Sequence, residues 1–274
     1  MSQNLAAIII VLLYSCNTFC QNSLHNSPVS NALAGIYSTR SDVWSAFQNP
    51  AGNANFNKVS SGISYSMPYG IKELSSQKIA STLPTKIGNI GASYQSFGFS
   101  LYKEQNISLS YSKSITEKVA AGFQLNYANY FSSQSGNGGQ LYSSIGLQFQ
   151  PIKHLKIGAS ITNPEQASLT INTEEVHIPS YYALGISWLA SDQFSLSYEF
   201  EKQSDYGVIS KFGLEYNYQN FLWFKGGISG KPILYSFGLG LKLKQFIVDY
   251  AASFHEALGM TSSIGLTFNW HKDE

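Results

Sequence analysis

Glu199 and Glu201 are the residues whose type and spacing come closest to acid–base chemistry. Side chains two apart on a strand point to the same face, so one carboxyl could act as acid and the other as base. Lys211 falls on the next predicted strand, and a cation beside two carboxylates indicates ion pairing. We favour the ion-paired interpretation over a catalytic pair.

Other catalytic and metal-binding patterns fail on spacing. His255-Glu256 is not followed by a second His, so the zinc-protease pattern is incomplete. The glycine-rich stretch 136–139 lacks the Lys-Ser/Thr of a phosphate-binding loop, and no Gly-x-Ser-x-Gly elbow occurs. The 5 histidines are far apart in the sequence: His25, His154, His177, His255 and His271. We therefore predict a protein that is not an enzyme and holds no metal or cofactor.

The sequence predicts that these residues lie on β-strands. From residue 260 to 270, Ile264, Leu266 and Phe268 alternate with Gly265 and Thr267, which is the period-two pattern of a strand. About fourteen such stretches follow one another, each close to the length that lets a tilted strand cross a membrane. We predict them at 58–67, 71–82, 86–97, 105–115, 117–130, 139–150, 154–162, 178–189, 192–202, 206–217, 219–229, 232–243, 244–254 and 260–270.

The connections between these stretches carry a second signal, because short and long connections alternate along the chain. Turns such as 151–153 and 244–245 contrast with longer segments such as 163–177. The glycine-rich loop 131–139 is the most flexible by composition. An antiparallel up-and-down barrel with an even strand number has turns on one side and loops on the other. We therefore predict an all-β antiparallel barrel over 58–270.

Alternation alone leaves two architectures open, a soluble β-sandwich and a transmembrane barrel. Charged residues are only 12% of the chain and aromatics 14%, which is poor in charge for a soluble surface. One face is aliphatic with Tyr and Trp near its ends, as a lipid-facing surface requires. The other face carries Gly, Ser and sparse charges, from which we predict a lumen ionic network of Glu199, Glu201, Lys211, Glu215, Lys242 and Asp249. We favour the transmembrane barrel.

The N-terminus indicates export. An apolar run at 5–14 is too short for a membrane-spanning helix and is typical of a secretory signal, here residues 1–20 with cleavage before Gln21. Cys16 as a lipoprotein cysteine is the alternative. Both cysteines, Cys16 and Cys20, lie in this segment, so the mature chain is expected to contain no disulfide.

Residues 21–57 show irregular periodicity and precede the first strand. Ser41-Asp42 predicts the start of a short helix over Val43 to Phe47, and Asn49-Pro50-Ala51-Gly52 ends it. Because fourteen strands enclose more space than wall side chains fill, we predict that this segment is a plug inside the lumen. The alternative is a disordered or surface-lying N-terminus. A short tail, 271–274, follows the last strand.

Several of these stretches resemble a known superfamily. Asp42 followed by Asn49-Pro50-Ala51-Gly52 is similar to the signature near the mature N-terminus of FadL-like outer-membrane barrels, including the PorV and PorQ proteins of Bacteroidota. Further similarity to PorV-like barrels lies at 178–187, 205–216, 237–251 and 258–266. The resemblance implies fourteen strands and an N-terminal plug in the bacterial outer membrane, with Asp42, Asn49, Pro50, Ala51 and Gly52 as the plug motif.

The resemblance implies two different functions. PorV and PorQ serve type IX protein secretion, whereas FadL-type members pass hydrophobic small molecules to the membrane. Our leading hypothesis is a non-enzymatic component of type IX secretion or surface-protein assembly; the alternatives are a small hydrophobic-compound channel and a closed structural barrel. Expected partners are outer-membrane lipid and either secretion proteins or a hydrophobic ligand. A net charge of +1 argues against nucleic acid.

Overall fold

The computed structural model describes residues 26–172, 174–204, 206–230 and 233–270. The predicted signal peptide, 1–20, and the predicted tail, 271–274, lie outside the described residues. Within the described part of the chain, no helix is long and apolar enough to span a membrane.

Fourteen antiparallel strands close into a barrel, which confirms the predicted fold class. Each strand pairs with its neighbours in the sequence, and the first pairs with the last to close the wall. The barrel strands are β1 Ser60–Met67, β2 Ser76–Pro84, β3 Asn89–Phe99, β4 Tyr102–Ser114, β5 Val119–Ser132, β6 Gly136–Ile152, β7 Leu155–Thr162, β10 Tyr181–Leu189, β11 Phe194–Gln203, β12 Val208–Tyr218, β13 Leu222–Ser229, β14 Leu234–Leu243, β15 Phe246–His255 and β16 Gly259–Asn269. Closure satisfies every strand edge without water, as a β-protein in hydrocarbon requires.

Alternation along each strand separates an apolar outer face from a polar inner face. On β14, Phe237 is 60% exposed while its neighbour Ser236 is fully buried. The same contrast recurs around the barrel, since Ile, Leu and Phe point outward and Gly, Ser and Asn point inward. Tyr111, Trp188 and Trp270 are among the exposed aromatics. The exposed apolar face excludes the β-sandwich alternative, in which this face would be buried.

Two segments that were predicted as loops contain strands. A hairpin of β8 Ser168–Ile171 and β9 Glu174–His177 forms inside the predicted loop 163–177 and stands apart from the barrel sheet. In the predicted loop 131–139, β5 and β6 continue until only 133–135 separate them. Paired strands override the turn preference of the glycines, because each added residue pair contributes backbone hydrogen bonds.

The second strand begins later than the predicted residue 71. Two 3₁₀ turns, Pro68–Gly70 and Lys72–Leu74, precede β2. Tyr69 and Gly70 have positive φ angles of 56° and 71°, which turns the chain away from strand geometry.

The described N-terminal residues, 26–57, form short helical pieces. Helix α1, Pro28–Ala32, begins at Ser27, whose side chain accepts a hydrogen bond from the Ser30 amide. Two 3₁₀ turns follow, Val43–Phe47 and Pro50–Asn53. We call residues 26–57 the N-terminal segment. Most of it is buried, and it contacts strands on opposite sides of the barrel, so it lies within the lumen.

Candidate functional site: the lumen and its N-terminal segment

Ten inward-facing glycines of the wall form a surface against which the N-terminal segment lies. A Cβ atom at any of them would come within 3.0 Å of a segment atom. We call this set the glycine belt: Gly62, Gly91, Gly122, Gly146, Gly158, Gly185, Gly213, Gly227, Gly238 and Gly265. Because side chains in a well-packed interior cannot overlap, the segment occupies this position only while these residues lack side chains.

Two close approaches of the belt involve the predicted plug motif. A Cβ on Gly122 would lie 2.5 Å from the carbonyl carbon of Pro50, and one on Gly146 would overlap the side chain of Asn49. By contrast, the nearest neighbour of a Cβ on Gly226, which is not in the belt, would be 3.7 Å away. The plug motif therefore fits against β5 and β6 because glycines occupy these wall positions.

Asn49 connects the segment to itself and to the wall. It is fully buried, and its Nδ2 donates to the carbonyl oxygen of Ser38 at 2.6 Å. Longer contacts of 3.4 Å join the same Nδ2 to the wall carbonyls of Leu147 and Ala159. Its Oδ1 accepts from the Ala51 amide at 3.1 Å and so begins the second 3₁₀ turn. One amide side chain thus serves both as a turn cap and as a bridge to the barrel.

Asp42 and Gly52 act mainly within the segment. Asp42 Oδ1 accepts from the Trp44 amide at 3.0 Å and begins the turn Val43–Phe47. A Cβ on Gly52 would overlap the Arg40 carbonyl and the Ser45 hydroxyl. Burial raises the pKa of the Asp42 carboxyl above its ordinary value, and the nearby Arg40 guanidinium opposes this shift.

Glu199, Glu201 and Lys211 meet inside the lumen as a buried ionic group. Lys211 Nζ lies 3.3 Å from Glu199 Oε1 and 3.0 Å from Glu201 Oε2. Glu199 Oε2 also accepts from the backbone amides of Tyr37 and Ser38, at 3.0 and 2.7 Å. The wall carboxylate therefore binds segment amides directly, and the geometry offers no free carboxyl pair for acid–base chemistry.

The other predicted network residues fall into separate pairs. Glu215 binds Arg40 of the segment, with Nη1 and Oε2 3.3 Å apart. Asp249 pairs with Lys225 at 2.6 Å, both nearly buried. Lys242 is exposed at the end of β14 and takes part in none of the ion pairs between described residues. The inner-face ions thus form three groups instead of one network.

Sequence reasoning missed Arg40 as the partner of Glu215. No strand periodicity marks the N-terminal segment, so nothing in the sequence assigns Arg40 to a wall position. A cavity of about 250 Å³ lies beside these groups, between the segment and the wall. Its lining includes Arg40, Asp42, Trp44, Glu215, Lys225 and Asp249.

We call the end of the barrel that carries the longer connections the loop end, and the opening of the lumen there the loop-end mouth. The β8–β9 hairpin packs over the inner face of β5 and β6 at this end. Its Leu169 and Ile171 form an apolar cluster with Ala128 and Tyr142 of the wall. Asn163 fixes the start of the connection, since its Nδ2 donates to the Ile178 carbonyl at 2.7 Å. The hairpin therefore covers part of the loop-end mouth of the lumen.

Tyrosines and a carboxylate face the rest of this mouth. Tyr142 and Tyr181 are buried, and Tyr130 packs against the hairpin cluster. Glu104 accepts a hydrogen bond from Tyr102 at 2.5 Å and is directly opposite Tyr130 in the register. The side chains around this mouth are thus aromatic with a few polar groups, a composition common to small-molecule sites, and Tyr130 among them is only partly buried. Among the described residues no group of three or more His, Cys, Asp or Glu could hold a metal ion.

A closed fourteen-stranded barrel with an apolar exterior and a polar interior defines a transmembrane β-barrel of the outer-membrane type. No protein-family model matches the chain, and no curated protein matches it.

Solved structures share the fold. The toluene transporter TbuX of Ralstonia pickettii has a TM-score of 0.68 at 15% identity, covering 91% of this chain and 100% of that one. The monoaromatic hydrocarbon channel CymD has 0.67 at 16%, covering 92% and 100%. A Pseudomonas aeruginosa FadL homologue has 0.61 at 10%, covering 90% and 98%. At these identities the likeness shows that the chain shares the barrel fold of these proteins.

Proposed function

We propose that this protein is an outer-membrane channel for small apolar molecules. Its support is the shared fold, since two of the similar structures are named as a toluene transporter and a monoaromatic hydrocarbon channel. The shared fold favours this function over protein secretion.

The loop-end mouth suits the first step of such transport. Tyr130 and Val176, which are only partly buried against the hairpin cluster, offer aromatic and aliphatic surface to a ligand arriving from outside. Tyrosine combines a large apolar ring with a polar tip, so it can contact an apolar molecule at the boundary with water.

The N-terminal segment acts in this proposal as the plug of the channel. It occupies the lumen against the glycine belt, so a molecule passes only when the segment shifts. Besides apolar packing, its attachment uses individual polar contacts, such as those of Asn49 with the Leu147 carbonyl and of Glu199 and Lys211 with the segment backbone. Each contributes about 0.5 to 3 kcal/mol, so a local shift requires breaking only a few of them.

The secretion hypothesis rests on the resemblance to PorV-like barrels, at the Asn49 to Gly52 motif and in the C-terminal half, and burial of the motif limits its use as a docking site. All four motif residues are buried between the wall and the rest of the segment. A secreted protein or secretion partner has no access to them from either membrane surface. A role in type IX secretion of the PorV/PorQ kind is therefore our second candidate, and a closed structural barrel is the third.

A deletion strain of the native host tests this ranking. We expect uptake of radiolabelled toluene to fall several-fold and to return on complementation, with export of surface proteins unchanged. Uptake of a water-soluble sugar serves as the control and is expected to stay the same. Impaired surface-protein export with normal toluene uptake would reverse the ranking, and no change in either would favour the closed barrel.

A further inference from the structure

Seven exposed lysines surround the end of the barrel that carries the short turns. They are Lys58, Lys86, Lys113, Lys118, Lys153, Lys242 and Lys244, and we call them the lysine rim. The exposed acidic residues at this end, in the part of the chain that the structure describes, are Glu117 and Asp192. The seven rim lysines and these two carboxylates together carry +5, whereas the whole chain carries only +1.

Most rim lysines adjoin an exposed apolar side chain. Ile87 beside Lys86 is 70% exposed, and Ile152 beside Lys153 is 61% exposed. Val59 and Leu243 accompany Lys58 and the Lys242–Lys244 pair in the same way. At a bilayer surface, an apolar residue enters the acyl region while a neighbouring lysine extends to the headgroups.

The rim charges are not used within the protein. None of the ion pairs between described residues includes a rim lysine. The loop end of the barrel differs, because Lys72, Lys103 and Lys202 are balanced there by Glu73, Glu165, Glu175 and Glu256. Exposed positive charge is thus concentrated at the end of the barrel that carries the short turns.

We propose that the lysine rim binds the anionic headgroups of phospholipids in the leaflet that the short turns face. Several lysines on adjoining turns attract phosphate groups together, and each lysine near an anionic surface adds favourable electrostatic energy. The rim adjoins the apolar outer face of the barrel, which favours a lipid over a soluble acidic partner. Such binding would set the depth and tilt of the barrel, and it does not depend on the proposed transport.

Lipid retention by the purified mature protein tests this proposal. The protein is reconstituted with mixed phosphatidylglycerol and phosphatidylcholine, re-extracted in mild detergent, and the retained lipids are counted by native mass spectrometry. The rim variant is Lys86→Gln/Lys118→Gln/Lys153→Gln, and the matched control is Lys72→Gln/Lys103→Gln/Lys202→Gln at the loop end. Both variants must show the heat-dependent gel migration of a folded barrel.

We expect the wild type and the control to retain an excess of phosphatidylglycerol. The rim variant should lose this preference by about tenfold or more, and salt at about 0.5 M should weaken it in the wild type. Equal retention by the two variants, or an equal loss in both, would overturn the proposal. Binding of the protein to isolated peptidoglycan without any lipid preference would also overturn it.

Discussion

Lys211 on β12 donates from Nζ to the carbonyl oxygen of Gly35 in the N-terminal segment, at 2.8 Å. The same ammonium group contacts Glu199, whose other oxygen binds the Ser38 amide. Both members of this buried ion pair of the wall therefore bind the backbone of the segment, the cation at a carbonyl oxygen and the carboxylate at an amide. Breaking a buried pair is costly, because the remaining charge has no water around it.

Removing this cation should destabilise the barrel. Lys211→Met leaves Glu199 and Glu201 buried together, and we expect a loss of about 3 to 5 kcal/mol in the free energy of unfolding. Urea titration followed by gel migration measures this loss. Lys202→Met, at an exposed position nearby, should stay within about 0.5 kcal/mol of the wild type. If Lys211→Met and Lys202→Met behave alike, the ionic group contributes nothing.

A side chain in the glycine belt should displace the segment. Gly122→Val would place methyl groups against Pro50, at a cost of about 1 to 3 kcal/mol. We expect the segment to shift and cells to become permeable to a large polar antibiotic such as vancomycin. Gly226→Val is the matched control, because its neighbours are 3.7 Å or more away. Equal vancomycin resistance of cells that express Gly122→Val and cells that express Gly226→Val would contradict a lumen closed by the segment.

Asn49 should tolerate loss of its side chain better than a change of charge. Asn49→Ala removes the bonds to Ser38 and Ala51 and should cost about 1 to 3 kcal/mol. Asn49→Asp keeps the acceptor for Ala51 but points a second oxygen at the Ser38 carbonyl, so we expect a larger loss. Protease cleavage within 26–57 in detergent reports on the segment. Faster cleavage of the Ala variant than of the Asp variant would refute this order.

Locking the segment to the wall should stop transport if the segment is a movable plug. Asn31 of the segment donates from Nδ2 to Ser263 Oγ of β16 at 3.2 Å, so Asn31→Cys/Ser263→Cys brings two thiols together without adding a side chain to the glycine belt and is placed to form a disulfide. We expect toluene uptake to fall several-fold in the oxidised variant and to recover on reduction.

The control disulfide, Ser61→Cys/Ser81→Cys, joins β1 to β2 at side chains 2.5 Å apart without touching the segment. It should leave uptake unchanged in either redox state. Undiminished uptake by the locked Asn31/Ser263 variant would show that the molecule passes without motion of the segment.

The β8–β9 hairpin should limit access to the lumen rather than support the barrel. Replacing residues 168–177 with a short Gly-Ser linker uncovers Ala128 and Tyr142 while leaving all fourteen barrel strands paired. We expect unfolding resistance to change little and the initial rate of toluene uptake to rise. A barrel that no longer folds would assign the hairpin a structural role instead.

The sequence by itself determined the wall of this protein. Period-two alternation is a local property, so it indicated the strands, their approximate ends and which side chains face lipid. Errors arose where local preference and pairing disagree. Glycines at 136–139 predicted a loop, yet β5 and β6 pair through this stretch. The four-residue strands of the β8–β9 hairpin are too short to show a period.

Only the tertiary structure decided what lies inside the wall. Alternation placed Glu199, Glu215 and Asp249 on the inner face, but their partners come from positions up to 175 residues away, as with Arg40 and Glu215. Closure of the barrel brings such residues together, and no local pattern encodes a distance across the lumen. The path of the N-terminal segment follows from the same cause, since its position depends on ten glycines contributed by ten different strands.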